Sequence, residues 1–452
     1  MRPLAGAAVA ALLVFASAVR AAELAAQSAP KPSASRVAVH GGSTGEMLAG
    51  RVAYGMNSRG ELGLDPFGST AITLGFWPRG TPNQYMFNSG PQVAGIIGGA
   101  RPINPWAGDT AAGFFFDPSG LRQHGTGVTE VFNSRLERDR DRWPQGGYVG
   151  HGDDRFAAAL QGRTSASDGD LWWIAWEGDP GLNAARPHPL GIAAEFRVMG
   201  WDGPRGLDDV MVVVATFYNI TARNASAYAA YRPGVREELV RLGERFHELN
   251  ETKFSVDLPD GGWPIEQLHA SVLADPDVTV SAGSNFASVN LPLAMGYAWH
   301  ADLPRATHWL FPADLFSPPF FSGSGLVGIK TLATPGGGPA IRVFSNTTNG
   351  GPFPDARSAA RAFRYASGTI TPADSVTCNH GDPRVTRICY VRTDAPSDIR
   401  TMQSSPSVTL QPGGAVTLAW AYVHAAPVAL AGYQQGTRVF PGDPLRLTDA
   451  VA

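Results

Sequence analysis

Cysteine is close to absent here: 452 residues contain two, Cys378 and Cys389. No standard zinc spacing can be built from them, because a site would have to borrow His380 and a further ligand. Neither follows the apolar N-terminal run, which argues against a lipid-anchored lipoprotein. Lysine is nearly as scarce, at Lys31, Lys253 and Lys330, while arginine is abundant. Codon bias in a GC-rich genome accounts for that more simply than function does. The formal net charge is −3. A chain so balanced lacks the clustered positive footprint that phosphate backbones require, so nucleic acid is excluded as a partner. The Gly-rich run at Pro335-Gly336-Gly337-Gly338 precedes no helix opening with Lys and Ser or Thr, which excludes a phosphate loop.

What is present starts at the N-terminus. Arg2, an apolar stretch over residues 4–15 and small residues around Ala16-Ser17-Ala18 and Val19-Arg20-Ala21 read as a signal peptide over residues 1–21. The run is too short to cross a bilayer comfortably. No membrane span is expected after signal removal, and the C-terminal end carries neither an apolar anchor nor a basic tail. The expected product is soluble and exported, extracellular or periplasmic. Residues 22–36, rich in Ala, Ser, Pro and Lys, read as a flexible leader. In an exported chain the closely spaced Cys378 and Cys389 are read as a disulfide. Turn residues follow Cys378, so the link would bridge a hairpin and contribute about 2–3 kcal/mol on the chain-entropy account.

Gly at 53 and Pro at 36 mark a chain that turns often, and a 44% hydrophobic share is ample for a packed interior. From residue 37 onward short alternating runs are punctuated by Gly, Pro, Asn and Asp, the pattern of many short strands. The expected fold is mainly β: a large antiparallel β-sandwich, or two packed sandwiches, with one helical insertion. The expected organisation is an N-terminal β-rich region over 37–232, an amphipathic helix over 233–250 and a C-terminal β-rich region over 251–452. Residues 210–218 are apolar at nearly every position and read as a central strand covered on both faces, with 192–199 as a neighbour. Val408-Thr409-Leu410, the turn Gln411-Pro412-Gly413-Gly414 and the alternation Val416, Leu418, Trp420, Tyr422 predict a hairpin. Val235, Leu239, Leu242, Phe246 and Leu249 recur at helical spacing after Pro233, with Gly243 a weak point. A shorter helix is expected from Asp355 through Phe363.

Several stretches resemble a group of uncharacterised, β-rich secreted bacterial proteins. They are Asn57-Ser58-Arg59-Gly60, Gly75-Phe76-Trp77-Pro78-Arg79-Gly80, Trp106-Ala107-Gly108-Asp109, Thr216-Phe217-Tyr218-Asn219-Ile220-Thr221, Asp275-Pro276-Asp277, Asp398-Ile399-Arg400 and Leu410-Gln411-Pro412-Gly413. They are spread over about residues 55–425. The resemblance implies an exported β-architecture and no established activity. In similar proteins this region is often followed by further β-modules, so the chain reads as a short member or an incomplete reading frame.

Three acidic groups offer the oxygen ligands calcium requires. The best is Asp275 and Asp277 with Ser284 and Asn285 close behind; Asp168/Asp170 and Asp208/Asp209 are the others. None has EF-hand spacing, and Asp before Gly or Pro also simply makes turns. Calcium is the one cofactor in view. His40, His124, His151 and His380 each precede Gly, twice with Asp following, and share no spacing that would unite them. Gly41-Gly42-Ser43-Thr44-Gly45 fits a nucleophile-elbow pattern but lacks a helix after it. Glu130, Glu137, Glu177 and Glu195 are available carboxylates without a legible pairing. Trp172, Trp173 and Trp176 crowd one strand, where core packing competes with a stacking platform for a sugar ring. The alternating charges from Arg135 to Arg142 read as a solvated face or a partner patch. The expected function is an exported non-enzymatic structural or binding protein, for a glycan or a cell-surface protein. The alternative is an exported carboxylate-dependent hydrolase acting on polysaccharide.

Overall fold

Two large sheets stack face to face in the computed structural model. It describes residues 43–63, 75–80, 84–115, 125–140, 167–178, 190–278, 283, 285–290, 292–300, 326–336, 343–348, 355–356, 358–369, 387–390 and 397–425. The expected signal peptide and leader lie outside them. So does Cys378, and of Cys389 only its strand position, opposite Ser345, is described.

One sheet has nine described strands. Its order is Asn285–Asn290, Met295–His300, Leu326–Ala333, Ala415–Ala425, Val210–Asn219, Ile192–Gly200, Gly169–Trp176 and Thr126–Gly127, with Phe132–Asn133 also paired to Gly169–Trp176. The second has seven: Arg387–Tyr390, Val343–Thr348, Ile399–Ser404, Ile265–Asp275, Asn88–Ile97 and Thr110–Phe114, with Val408–Leu410 added to Ile265–Asp275. A small third sheet joins Thr44–Met47, Ala53–Asn57 and Gly75–Phe76. Pairing is antiparallel throughout except where Val343–Thr348 meets Arg387–Tyr390 in parallel. The protein is therefore mainly β and sandwich-like. Both large sheets interleave strands from before and after the long helix.

The core lies between these two sheets. Phe196, Val213, Phe217, Trp420 and Tyr422 from one face meet Val93, Ile97, Leu268 and Val272 from the other, all buried. Polar ties cross the same layer: Tyr422 Oη donates to Ser89 Oγ at 2.6 Å, and Gln403 Nε2 donates to the Ile329 carbonyl at 2.6 Å. The strand Val210–Asn219 is fully buried only over its second half, with Val210, Val212 and Val214 half-buried. Its sequence is apolar on both faces, but cover on the outer face begins where the 225–232 segment lies alongside.

The helix Pro233–Phe254 runs one turn beyond the expected end. Phe254 explains the extension, packing edge-on against Trp106 at 5.4 Å between ring centres. Ser255 then closes the helix in the left-handed conformation. Gly243 is required rather than tolerated: a Cβ there would sit 2.4 Å from the Ala222 carbonyl oxygen. The second helix spans Ala359–Ser367, four residues later than expected from Asp355. Ser358 caps it, accepting from Arg361 N, and its Ala362 and Tyr365 cover the outer face of the seven-stranded sheet over Leu273 and Met402.

The predicted C-terminal hairpin is not formed. Val408–Leu410 pairs with Ile265–Asp275 in one sheet, while Ala415–Ala425 pairs with Val210–Asn219 and Leu326–Ala333 in the other. Period-two alternation and a Pro-Gly turn specify two strands and a reversal, but not that the strands share a sheet. Here the turn carries the chain across the sandwich. Asn219 holds it: Gly413 N donates to the Asn219 carbonyl and Asn219 N to the Gly414 carbonyl, both at 3.0 Å.

Candidate functional site

The seven-stranded sheet carries one row of side chains set by register alone. Asn88 lies opposite Asp275, and Arg400 lies opposite Thr347 one strand further. Thr401 pairs with Ala274, so the antiparallel register places Arg400 opposite Asp275. Directly paired residues project to one face, so Asn88, Asp275 and Arg400 share that face. It is the face covered further along by the Ala359–Ser367 helix, because Leu273 lies two residues from Asp275.

Four carboxylates gather around this row. Arg400 Nη1 bonds Asp275 Oδ1 at 2.6 Å and also Asp398, while its Nε lies 3.6 Å from Asp355 Oδ1. Asp277, two residues past the strand end, completes the group: single carboxylate oxygens of Asp275, Asp277 and Asp398 all lie within 4.8 Å of one another. Arg400 and Asp275 side chains are each only 5% exposed, whereas Asp398 is 24% exposed and opens the cluster to solvent. Burial pushes the Asp275 carboxyl up, against Arg400, and its acidic neighbours push it further. The Asp277 carboxyl is pushed up to about 7, by burial first and then by Asp398, with Arg400 opposing. Burial works against the Arg400 charge, yet Asp275, Asp355 and Asp398 raise its pKa above the ordinary arginine range.

The structure thus brings together Asp275 and Asp277 of the sequence-predicted calcium set. Asn285 stands beside them in a different role: its Oδ1 accepts from Val278 N at 3.0 Å, and its backbone bonds Ser397 at 3.0 and 3.3 Å. Ser284 lies outside the described residues. Asp398 and Arg400 were not among the candidates. Their only signal was the triplet Asp398-Ile399-Arg400, and nothing in spacing links it to residues over 120 positions earlier.

The other acidic groups accept from protein donors, some within their own turns and some across the fold. Asp170 Oδ1 accepts from Ser167 N at 3.0 Å and Asp168 Oδ2 from Asp202 N at 2.8 Å. Asp208 Oδ1 accepts from Gly206 N at 2.7 Å, and Asp209 Oδ1 from Trp77 Nε1 at 2.6 Å. Arg135 bonds Asp202 at 2.5 Å, tying the start of the alternating-charge run to that same end of the sandwich. Ser43 leads into the strand Thr44–Met47, not a helix, and its Oγ accepts from Val131 N at 2.9 Å. That excludes a nucleophile elbow at this position. The four His-Gly histidines lie outside the described residues.

The stacking platform needs correction. Trp172, Trp173 and Trp176 are all buried. Trp173 stacks on Phe196, its cross-strand partner, with ring centres 4.7 Å apart. Trp172 points to the opposite face and donates to Glu195 Oε1 at 2.6 Å. The strand is covered on both sides, so no ring of the three offers an open face to a sugar. Glu195 accepts in addition from Tyr218 Oη at 2.7 Å and pairs with Arg232. Burial raises its pKa, but Arg232 and Arg197, with those hydrogen bonds, outweigh burial and hold it below the usual carboxylate range. Glu177 accepts from the backbone N–H groups of Leu190, Gly191 and Ile192.

No protein-family model matches the chain, and no curated protein matches its sequence. The fold and the site therefore define it as a β-sandwich protein with a buried aspartate–arginine cluster at the rim of one sheet.

Proposed function

We propose that this protein is an exported, non-enzymatic structural or binding module whose partner is a glycan or a cell-surface protein. The reading rests on how the sheet carboxylates are used. Glu177 and Glu195 are each saturated by structural donors, the first by three backbone amides and the second by Trp172, Tyr218 and Arg232. A general acid or nucleophile needs a free oxygen facing substrate, and these two have their oxygens committed to holding strands. Among the described residues no helix is long and apolar enough to cross a membrane.

A second reading, a carboxylate-dependent hydrolase acting on polysaccharide, draws on one observation. Asp277 and Asp398 bring carboxylate oxygens within 4.8 Å, with Asp398 partly exposed. A glycan array scored beside a polysaccharide hydrolase screen separates the two. Retained glycan without released sugar supports the module. Turnover lost in Asp398→Asn supports the hydrolase.

A further inference from the structure

We propose that Asp275, Asp277 and Asp398, with the amide oxygen of Asn88, form a binding site for a calcium-like divalent cation, a role that goes beyond the binding-module reading. Acidic side chains often gather without a ligand, so the weight falls on two oxygens that the protein leaves unserved. Asp277 is 7% exposed and Asn88 is 9% exposed. Among the described residues, Asp277 Oδ1 and Asn88 Oδ1 are buried without a hydrogen-bond partner. Buried acceptors are nearly always paired, because an unmade bond there costs the full desolvation of the group. Asn88 stands directly across the ladder from Asp275 on the same face, and Asp277 shares the carboxylate group itself. Both unserved oxygens thus belong to the same corner.

Arg400 is the competing explanation, since it already supplies a positive charge. It does not balance the cluster. One guanidinium faces four carboxylates, Asp275, Asp277, Asp355 and Asp398, and it makes no described bond to Asp277. A buried acidic surplus is relieved by protonation or by a cation, and the cation is the relief that also serves the two open acceptor oxygens. The donor set favours calcium over magnesium. Carboxylate and amide oxygens of uneven burial suit an ion whose six to eight oxygen ligands tolerate irregular placement. Magnesium demands a tighter octahedron and gives up water reluctantly. Asp398, partly exposed, is the side through which the ion and its remaining waters reach the site.

The test uses the intact exported protein, stripped with chelator and dialysed. Calorimetric titration with calcium chloride alone is expected to show saturable binding of about one ion per chain, in the roughly 10⁻⁴–10⁻³ M range of extracellular modules. Magnesium is expected to bind more weakly. Asp277→Asn keeps the shape and removes one buried charge, so it should fold. In chelator it is expected to melt higher than the parent. In ten-millimolar calcium that advantage is expected to vanish, with calcium affinity reduced roughly tenfold or more. No saturable heat, together with a parent melting temperature unchanged by calcium, overturns the proposal. Equal calcium affinity in Asp277→Asn and parent overturns it as well. None of these readouts depends on a glycan, so failure here leaves the binding-module reading standing.

Discussion

Tyr54 and His424 lie 370 positions apart in the chain and share a hydrogen bond of 2.9 Å in the core. His424 Nδ1 is 3.2 Å from the Asp209 carbonyl, which can only accept, so Nδ1 carries the proton and Nε2 accepts from the Tyr54 hydroxyl. Trp77 stacks on the imidazole at 5.9 Å and Tyr85 meets it edge-on at 5.8 Å. Beyond the Trp77 ring, Arg51 lies 5.0 Å from its centre and pairs with Asp209.

This neutral, aromatic enclosure predicts acid sensitivity. Burial pushes the His424 pKa down to about 4, with only the Asp209 carbonyl opposing. An unfolded histidine titrates near 6.5. Between those values the unfolded chain binds a proton that the folded chain refuses, so stability falls as pH drops through that window. It is complete above about pH 6.5, and the loss approaches about 3 kcal/mol by pH 4. Urea midpoints of the parent and His424→Gln at pH 7.5 and 4.5 check this. The variant should lose less on acidification; parallel losses would sink the argument.

Glu195 carries the second prediction. Removing it in Glu195→Ala takes an ion pair from Arg232, 13% exposed at its side chain, and an acceptor from Trp172 Nε1 and Tyr218 Oη. Breaking one partner of a buried pair costs about 3–5 kcal/mol. Glu195→Ala with Arg232→Met should recover part of that loss, since it also removes the guanidinium whose carboxylate has gone. Chemical denaturation of both variants reads the difference, and a double variant no more stable than the single one would refute the coupling.

Gly243 tests which of two opposed effects wins. By helix propensity alone, Gly243→Ala should stabilise by about 1 kcal/mol. The added Cβ would stand 2.4 Å from the Ala222 carbonyl oxygen, a backbone atom that cannot swing aside. Overpacking of this kind costs about 1–3 kcal/mol, so a net loss is expected. A higher melting temperature for the variant would show that the helix shifts freely.

These cases mark where the sequence was legible. The strand Val210–Asn219, its neighbour Ile192–Gly200 and the stripe Val235 to Leu249 were readable because local period reports local structure. In the sequence Gly243 looks like a weakness, because the atom that needs it, on Ala222, lies on another segment. Asp275 and Asp277 are visible as neighbours in sequence, whereas Asp398 and Arg400 reach them through strand order and Asp355 from the segment before the helix Ala359–Ser367. The buried state of Trp172 and Trp173 follows from cover on both faces of their strand, which alternation along one strand cannot reveal.

The sheet-to-sheet crossing at residues 411–414 gives the last prediction. Asn219 Nδ2 donates to the carbonyls of Trp263 at 2.9 Å and Leu410 at 3.0 Å, and its Oδ1 accepts from Thr221 N at 2.9 Å and Thr221 Oγ1 at 2.6 Å. One buried amide thereby fixes three segments where the chain leaves one sheet for the other. Asn219→Asp is the sharper probe, because it keeps the acceptor and replaces the donor by an oxygen facing two carbonyls. Each unmatched buried group costs about 1–3 kcal/mol, so Asn219→Asp should lose at least as much stability as Asn219→Ala. Gly413, at φ +69 with a Cβ position 2.4 Å from the Ala227 oxygen, has no freedom to absorb the change. Amide hydrogen exchange at Gly413 and Gly414 should accelerate in both variants, since their bonds run to Asn219 and Gln411. Protection retained there would mean that the crossing is held by Tyr231, whose hydroxyl bonds the Gly413 carbonyl, and not by Asn219.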